Sequence, residues 1–230
     1  MKLKDLTARI EGILAEYYGF EIELSARDCL LEVESDEPSD PCRPEAPAAA
    51  PRGEMLVVQE NDLQENDLYV GLKFSRSTVE QAVIYDESEP FTPGRIAALL
   101  VIIEEVSHFH LLTQRAQFDL TTTQLELEWQ SEVDKLIVLS ELAGDGGARV
   151  ILRGLHYFLV LGFQLREGLG PEESMRYREA THYFDLFWQD KLAPLLSQGV
   201  DFGMKDPAVR AALRELYRLP WSAKTSIMVA

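Results

Sequence analysis

The chain has 230 residues, a mass of 26.0 kDa and 46% hydrophobic residues, which is enough for a sizeable core. Charged residues make up 27% of the chain, and the glycine and proline contents are ordinary, so the composition excludes a fibrous protein and argues against a disordered one. Asp and Glu exceed Lys and Arg by 39 to 22, giving a net charge of −17. A protein with this net negative charge repels the phosphate backbone of a nucleic acid, and the sequence contains no run of basic residues. We therefore expect no nucleic-acid binding.

The N-terminus and the cysteines indicate the compartment. Charges at Lys2, Lys4 and Asp5 interrupt the apolar stretch that a secretory signal requires. The longest apolar run, 96–103, has eight residues, whereas a membrane span needs about 20. Cys29 and Cys42 lie outside any CxxC motif, so two free thiols are expected. We therefore predict a cytoplasmic protein without a membrane span.

Charge divides the chain into two parts. Residues 1–91 contain 8 basic and 21 acidic side chains, a net −13, whereas residues 92–230 contain 14 and 18, a net −4. The change coincides with Pro90 and Pro93. We therefore predict two domains, an acidic α+β unit over 1–91 and a helical unit over 92–230.

The first part is predicted to combine a helix with a small antiparallel sheet. Apolar residues from Leu6 to Tyr17 recur at helical spacing, and Gly19 comes next as a stop signal. Alternation over 20–24 predicts a half-buried strand, continued or paired by 29–33. Five prolines in 34–53 predict a mobile loop, and 55–58 and 68–74 are two further predicted strands around a turn at 61–67.

The second part is predicted to be a bundle of four to five helices. Thr92 and Pro93 begin a helix that is apolar on every side, so it should be central. The next helix is capped by 121–123, ends near Gly144 and carries an acidic face that we expect to be solvated. The remaining predicted helices are 149–166, 171–192 and 207–217, with an irregular tail. The fold class is thus α+β with a mainly helical, bundle-like C-terminal part.

Two ExxH motifs are the strongest chemical signal. Glu105 precedes His108, and Glu179 precedes His182, by three residues, which places both side chains on one side of a helix. At motif level the chain resembles the ferritin-like carboxylate-bridged di-metal proteins, whose bundles supply two such helices and one Glu from each of two others. The resemblance implies a divalent-metal site. Glu132 is the best third ligand because it lies on the shoulder of the apolar stripe of the next helix.

Two observations leave other roles open for these residues. The helix 149–166 carries no carboxylate, so one ligand helix of the di-metal pattern is missing. Glu105 and His108 come after an apolar run and could instead be a buried, paired couple. A third alternative is acid–base catalysis with His108 as the base, oriented by Glu132 and close to Glu105; Ser107 points about 100° away from His108.

The predicted helix 171–192 is rich in aromatic residues. The aromatic side chains cover more of the helix circumference than a single core-facing stripe needs. The helix is therefore either central in the bundle or partly an interface, and we favour an interface. These residues, with two neighbouring arginines, are Tyr177, Tyr183, Phe184, Phe187, Trp188, Arg176 and Arg178.

No Walker loop, GxGxxG, GxSxG, HExxH or Cys/His zinc motif is present in the sequence. The sequence therefore favours a non-enzymatic accessory or protein-interaction module of a cytoplasmic, bacterial-type multiprotein system, with a protein partner or a homo-oligomer. The alternative is a metal-dependent enzyme or metal-binding protein, hydrolase or oxidoreductase, that uses Glu105, His108, Glu132, Glu179 and His182.

Overall fold

The computed structural model describes residues 2–31, 51–62, 65–83, 92–144, 148–161, 169–198 and 204–229. It confirms the α+β class, with an antiparallel sheet in the N-terminal part and helices after it. The elements in chain order are α1 (Leu3–Tyr18), β1 (Gly53–Asp62), β2 (Glu65–Phe74), α2 (Arg76–Val83), α3 (Pro93–Gln117), α4 (Gln124–Leu142), α5 (Ala148–Leu161), α6 (Pro171–Phe187), a π-helical turn (Trp188–Leu192), α7 (Ala193–Gln198), α8 (Pro207–Arg218) and α9 (Trp221–Val229).

Residue contacts divide the chain into two compact units. Unit 1 comprises Met1–Glu11 and Glu23–His110, and unit 2 comprises Gly12–Ile22 and Leu111–Ala230. Helices α1 and α3 each contribute residues to both units. The domain ranges 1–91 and 92–230, based on charge, stay a prediction.

Helix α1 ends where the sequence predicts. Gly19 has a φ of 68°, the left-handed conformation that stops a helix at low cost in a glycine. The strand predicted over 20–24 is wrong, because this segment is irregular and Ile22 and Leu24 are exposed. The next two residues are held by side-chain bonds and not by a strand ladder: Ser25 Oγ donates to Glu11 Oε2 (2.7 Å), and the Ala26 N–H donates to Glu11 Oε1 (2.5 Å).

The two later strands are confirmed and are longer than predicted. They pair antiparallel from Gly53 opposite Phe74 to Asp62 opposite Glu65, so most of the predicted turn at 61–67 is strand. Leu30 adds one parallel bridge, to Leu72. The predicted Pro-rich loop 34–53 lies outside the described residues up to 50.

Helix α2 was not predicted, because its eight residues contain too few apolar positions for a helical period. Its start is fixed by hydroxyl bonds. The Thr78 N–H donates to Ser75 Oγ (3.2 Å), and the buried Thr78 hydroxyl donates to the Arg52 carbonyl (3.0 Å). These bonds join α2 to the residues that precede β1.

Helix α3 begins at Pro93, with the Arg95 N–H donating to Thr92 Oγ1 (3.3 Å), as the sequence predicts. Its apolar run is buried on several sides, which confirms a core helix: Ala98, Leu99, Ile102, Ile103 and Val106 are all 0% exposed. Among the described helices, α3 is the one whose length and mean hydropathy of 1.6 would allow a membrane crossing. Of that apolar window 61% is buried within the protein, as in core helices generally, so it is weak support for a span.

Helix α4 begins at the predicted cap, with the Glu126 N–H donating to Thr123 Oγ1 (3.1 Å). The prediction of a solvated acidic face is wrong. Polar and charged positions of the helix, including Glu128, Glu132 and Asp134, are buried together with its apolar ones. The reason is tertiary, since α4 packs against both α5 and α6.

The helices after α4 differ from the prediction in their ends. Helix α5 is described up to Leu161, and the rest of the predicted helix 149–166 lies outside the described residues. The predicted helix 171–192 is α6 together with the π-helical turn, and α7 continues from it. Helix α8 agrees with the prediction, but the predicted irregular tail is helical, as α9.

Candidate functional site

The first ExxH motif has the local geometry that its spacing predicts. On α3, His108 Nδ1 lies 3.9 Å from Glu105 Oε2, and both side chains are about 10% exposed. Ser107, also buried, belongs to the same turn. This couple agrees with the paired, buried alternative, although a contact of 3.9 Å is too long for a hydrogen bond.

The predicted third ligand is engaged elsewhere. Glu132 is buried on α4, and its Oε1 accepts a hydrogen bond from Lys135 Nζ at 2.8 Å. A lysine ammonium against a carboxylate neutralises the charge that a metal ligand would offer. Neighbouring Glu128 is likewise paired, with Arg176 Nε at 3.4 Å.

The second ExxH motif lies on the surface of α6. Glu179 and His182 are both exposed. Among the described residues, no group of three or more His, Cys, Asp or Glu side chains is arranged to hold a metal ion. The donors seen in unit 2 therefore do not fit a di-metal centre, and the ligand set of Glu105, His108, Glu132, Glu179 and His182 stays a prediction.

The aromatic side chains on and after α6 are mostly core. Phe184, Phe187 and Trp188 are between 0% and 7% exposed, whereas Tyr177 and Tyr183 are half-buried, so the interface predicted on this helix stays a prediction. Helix α6 contacts α4, α5 and α9, and a helix with three neighbours buries apolar side chains on several sides.

A buried polar network in unit 2 was not predicted. Glu126 Oε1 accepts from Arg115 Nη2 (2.7 Å) and from Lys224 Nζ (3.0 Å). Lys224 is 0% exposed, with its ammonium 5.2 Å from the centre of the Trp129 ring. Burial lowers the pKa of Lys224 to about 8, against the opposing effect of Glu126.

A second buried hydrogen-bonded group joins α4 to α1 through neutral donors. The Tyr18 hydroxyl donates to Asp134 Oδ1, and Gln130 Nε2 donates to Tyr18 Oη (2.8 Å) and to Asp134 Oδ1 (2.9 Å). Burial and the Asp134 carboxylate raise the pKa of Tyr18 well above its usual value, so the phenol stays protonated. All these groups are buried, so this network is a structural anchor and not an open site.

A His–Asp pair lies between α5 and α6. His156 Nε2 is 3.0 Å from Asp185 Oδ1, and the imidazole stacks on the Trp188 indole with ring centres 4.4 Å apart. Burial lowers the pKa of His156, and the Asp185 carboxylate opposes this shift. Neutral imidazole donating to the carboxylate fits both observations, so the pair fixes how α5 lies on α6.

The opposite side of α5 is an exposed apolar stripe. Tyr157 and Leu161 are each 66% exposed and Phe158 is 40% exposed, whereas Leu152 and Leu159 are at most 4% exposed. With Gly154, the exposed positions have the spacing i, i+3, i+4 and i+7, which is one face of a helix. We call Gly154, Tyr157, Phe158 and Leu161 the α5 stripe.

Gly154 lies within the helix although nothing among the residues that the structure describes requires a glycine there. A Cβ built at Gly154 meets no atom within 4 Å, and its φ is not in the left-handed range. A glycine in the middle of a helix costs about 1 kcal/mol relative to alanine. The stripe thus contains a flat position that would let a second backbone approach closely.

A groove of about 380 Å³ lies among the π-helical turn, α7, α8 and α9. Its walls are largely apolar, as at Phe187, Leu216 and Ile227, and its charged residues are exposed at the edge. Within the described part of the chain, no acid–base pair converges in this groove, so we assign the groove no chemistry.

Comparison with known proteins adds no assignment. No protein-family model, curated protein or solved structure matches the chain. The proposed function therefore rests on the α5 stripe and its surroundings, which the sequence analysis did not single out. The available signal was the helix itself, since Ala148–Leu161 is apolar on nearly every side.

Proposed function

We propose that the protein is a non-enzymatic interaction module that binds a helix of a protein partner along the α5 stripe. The observation that carries the proposal is the exposure of three large apolar side chains at helical spacing, contiguous with Gly154. Isolated exposed apolar residues are common on proteins, but a continuous helical stripe is typical of a docking face.

The surroundings of the stripe also suit docking. The His156–Asp185 bond and the stack on Trp188 hold α5 on α6, so the stripe is presented on a fixed support. A preorganised surface binds more tightly because less conformational entropy is lost on association. A cytoplasmic location and membership in a multiprotein system are part of this proposal.

Photocross-linking in cells tests the proposal. A photoreactive phenylalanine analogue replaces Tyr157 on the stripe or, as the control, Phe118, which is 69% exposed elsewhere in unit 2. We expect protein adducts from position 157, absent from position 118 and lost when Gly154→Leu is added. No adduct at 157, equal adducts at both positions, or adducts that survive Gly154→Leu would contradict an interaction along the stripe.

A further inference from the structure

We propose that the occupant of the α5 stripe is the α5 stripe of a second copy of this chain, packed antiparallel about a two-fold axis. This inference rests on the proposed function and names the partner. Closed two-fold dimers are the commonest oligomers of soluble proteins, and their interface must be complementary to itself. The α5 stripe meets that condition.

Size complementarity supports antiparallel pairing. When two copies of the stripe run in opposite directions around its centre, Gly154 of each copy lies opposite Leu161 of the other. Tyr157 then lies opposite Phe158, so two aromatic contacts form at the middle of the interface. Because Gly154 has no side chain, it leaves space for Leu161 of the other copy, and the two-fold axis repeats this contact. The pairing therefore explains why a glycine occupies this helical position, which the contacts within one chain do not.

The pairing brings two helices of the same charge together and keeps their arginines apart. Residues 148–161 carry Arg149 and Arg153 and no carboxylate, a net +2, whereas the rest of the chain carries −17 − 2 = −19. Arg153 is exposed and forms no ion pair with the described residues, and α5 of the other copy offers it no carboxylate. Antiparallel pairing separates the two Arg153 side chains by about 14 Å along the helix axis, beyond the screening distance in physiological salt.

Sedimentation of the purified full chain tests for the dimer. We expect a concentration-dependent species of twice 26.0 kDa. Gly154→Leu and Leu161→Glu should each raise the dimer dissociation constant about tenfold or more, because the first fills the space that Leu161 needs and the second places a charge in the apolar contact. The control Phe118→Glu, which changes an equally exposed residue outside the stripe, should leave it unchanged.

Gly154→Ala separates association from folding. Alanine should raise the stability of the single chain, since it is the better helix former, while weakening the dimer through the added methyl group. A weaker dimer with a more stable fold excludes misfolding as the cause. A chain that stays monomeric at every concentration, or a dimer that Gly154→Leu and Phe118→Glu affect equally, overturns the inference.

Disulfide trapping tests the register. In a Cys29→Ser, Cys42→Ser background, chains with Gly154→Cys are mixed with chains with Leu161→Cys. Positions 154 and 161 lie opposite each other, so these chains should form mixed disulfides. Two Gly154→Cys chains should not form a disulfide, because the two positions 154 lie about 10 Å apart along the helix axis, beyond disulfide reach. Same-position disulfides would overturn the antiparallel register.

The cross-linking experiment distinguishes the two proposals. An adduct at position 157 with twice the chain mass supports both the interaction surface and the second copy. An adduct with a different polypeptide, dependent on Gly154, overturns the second copy and leaves the interaction module standing. The absence of any adduct overturns both.

Discussion

Lys224, on the last helix, donates from its ammonium to Oε1 of Glu126 at 3.0 Å, across 98 positions of sequence. The same oxygen accepts from Arg115, so one carboxylate joins α3, α4 and α9. Lys224 is fully buried between apolar and aromatic side chains, which makes its charge costly to maintain.

The first prediction concerns alkaline pH. Because the pKa of Lys224 is lowered to about 8 in the folded protein, the unfolded chain binds more protons between pH 8 and about 10. The free energy of unfolding should therefore rise with pH in that window, by up to about 1.4 kcal/mol per pH unit. The rise ends when tyrosines ionise in the unfolded chain, since burial raises the pKa of Tyr18 and Tyr217.

Chemical denaturation at several pH values measures this effect. Lys224→Met keeps the length of the side chain and should abolish the rise. Lys191→Met, at an exposed lysine in the π-helical turn, is the matched control and should retain it. Parallel pH profiles for the native chain and Lys224→Met would refute the assignment.

The second prediction concerns acid. Burial acts to raise the pKa of Glu11, but the contact with His110 Nε2 at 3.2 Å and the hydrogen bonds from Ser25 and the Ala26 N–H outweigh it, so the pKa is lowered. A lowered carboxylate pKa stabilises the fold above the unfolded pKa, and that stability is lost as pH falls through the folded value. Glu11→Gln should therefore destabilise the protein by about 2 kcal/mol at pH 7, with a smaller difference in acid.

Hydrogen exchange of the Ala26 amide gives a local measure, because this N–H donates to Glu11. Its exchange should accelerate in Glu11→Gln and stay unchanged in Glu80→Gln, which alters an exposed carboxylate of unit 1. Equal Ala26 exchange rates in all three proteins would show that Glu11 does not hold this segment.

The third prediction concerns His156. Its pKa should lie below 6.5, because burial lowers it more than Asp185 raises it. Asp185→Asn removes the opposing charge, so the pKa should fall further. The free energy of unfolding should decline as pH drops from 6.5 through the folded value, since the unfolded imidazole takes up a proton first.

NMR titration of the imidazole protons monitors His156 directly, and Asp190→Asn, which removes an exposed acid of the π-helical turn, is the control. A His156 pKa that increases in Asp185→Asn would mean that the pair does not bond as described.

The fourth prediction concerns metal. If the ligand set predicted from the sequence binds an ion, metal analysis of protein purified without a His tag should find a stoichiometric transition metal that both His108→Ala and His182→Ala remove. The geometry of unit 2 leads us to expect no stoichiometric metal. His182→Ala should then be neutral because His182 is exposed, whereas His108→Ala should destabilise the buried turn of α3. One equivalent of metal lost in both variants would restore the metal hypothesis.

Local signals in the sequence were sufficient for many elements. Several helix ends are defined by residues within one turn of them: Gly19 ends α1, Thr92 with Pro93 begins α3, and Thr123 begins α4. These three helices could therefore be predicted. The Glu105–His108 contact is also local, because three residues on a helix fix it. The alternation of apolar and polar residues at 20–24 wrongly predicted a strand, because a strand needs a partner strand to pair with. The backbone that follows is instead held by Glu11, which accepts from the Ala26 N–H.

The sequence by itself determined the α+β class, the acidity of the chain, most helix starts and the absence of recognised catalytic motifs. Only the tertiary structure decided which faces are buried: it placed charged residues of α4 in the interior, aromatic residues of α6 in the core, and apolar residues of α5 on the surface. The physical reason is that a side chain's environment depends on the elements packed against it. A buried charge such as Lys224 is tolerated where the Glu126 carboxylate meets it, and no period along the chain encodes that meeting.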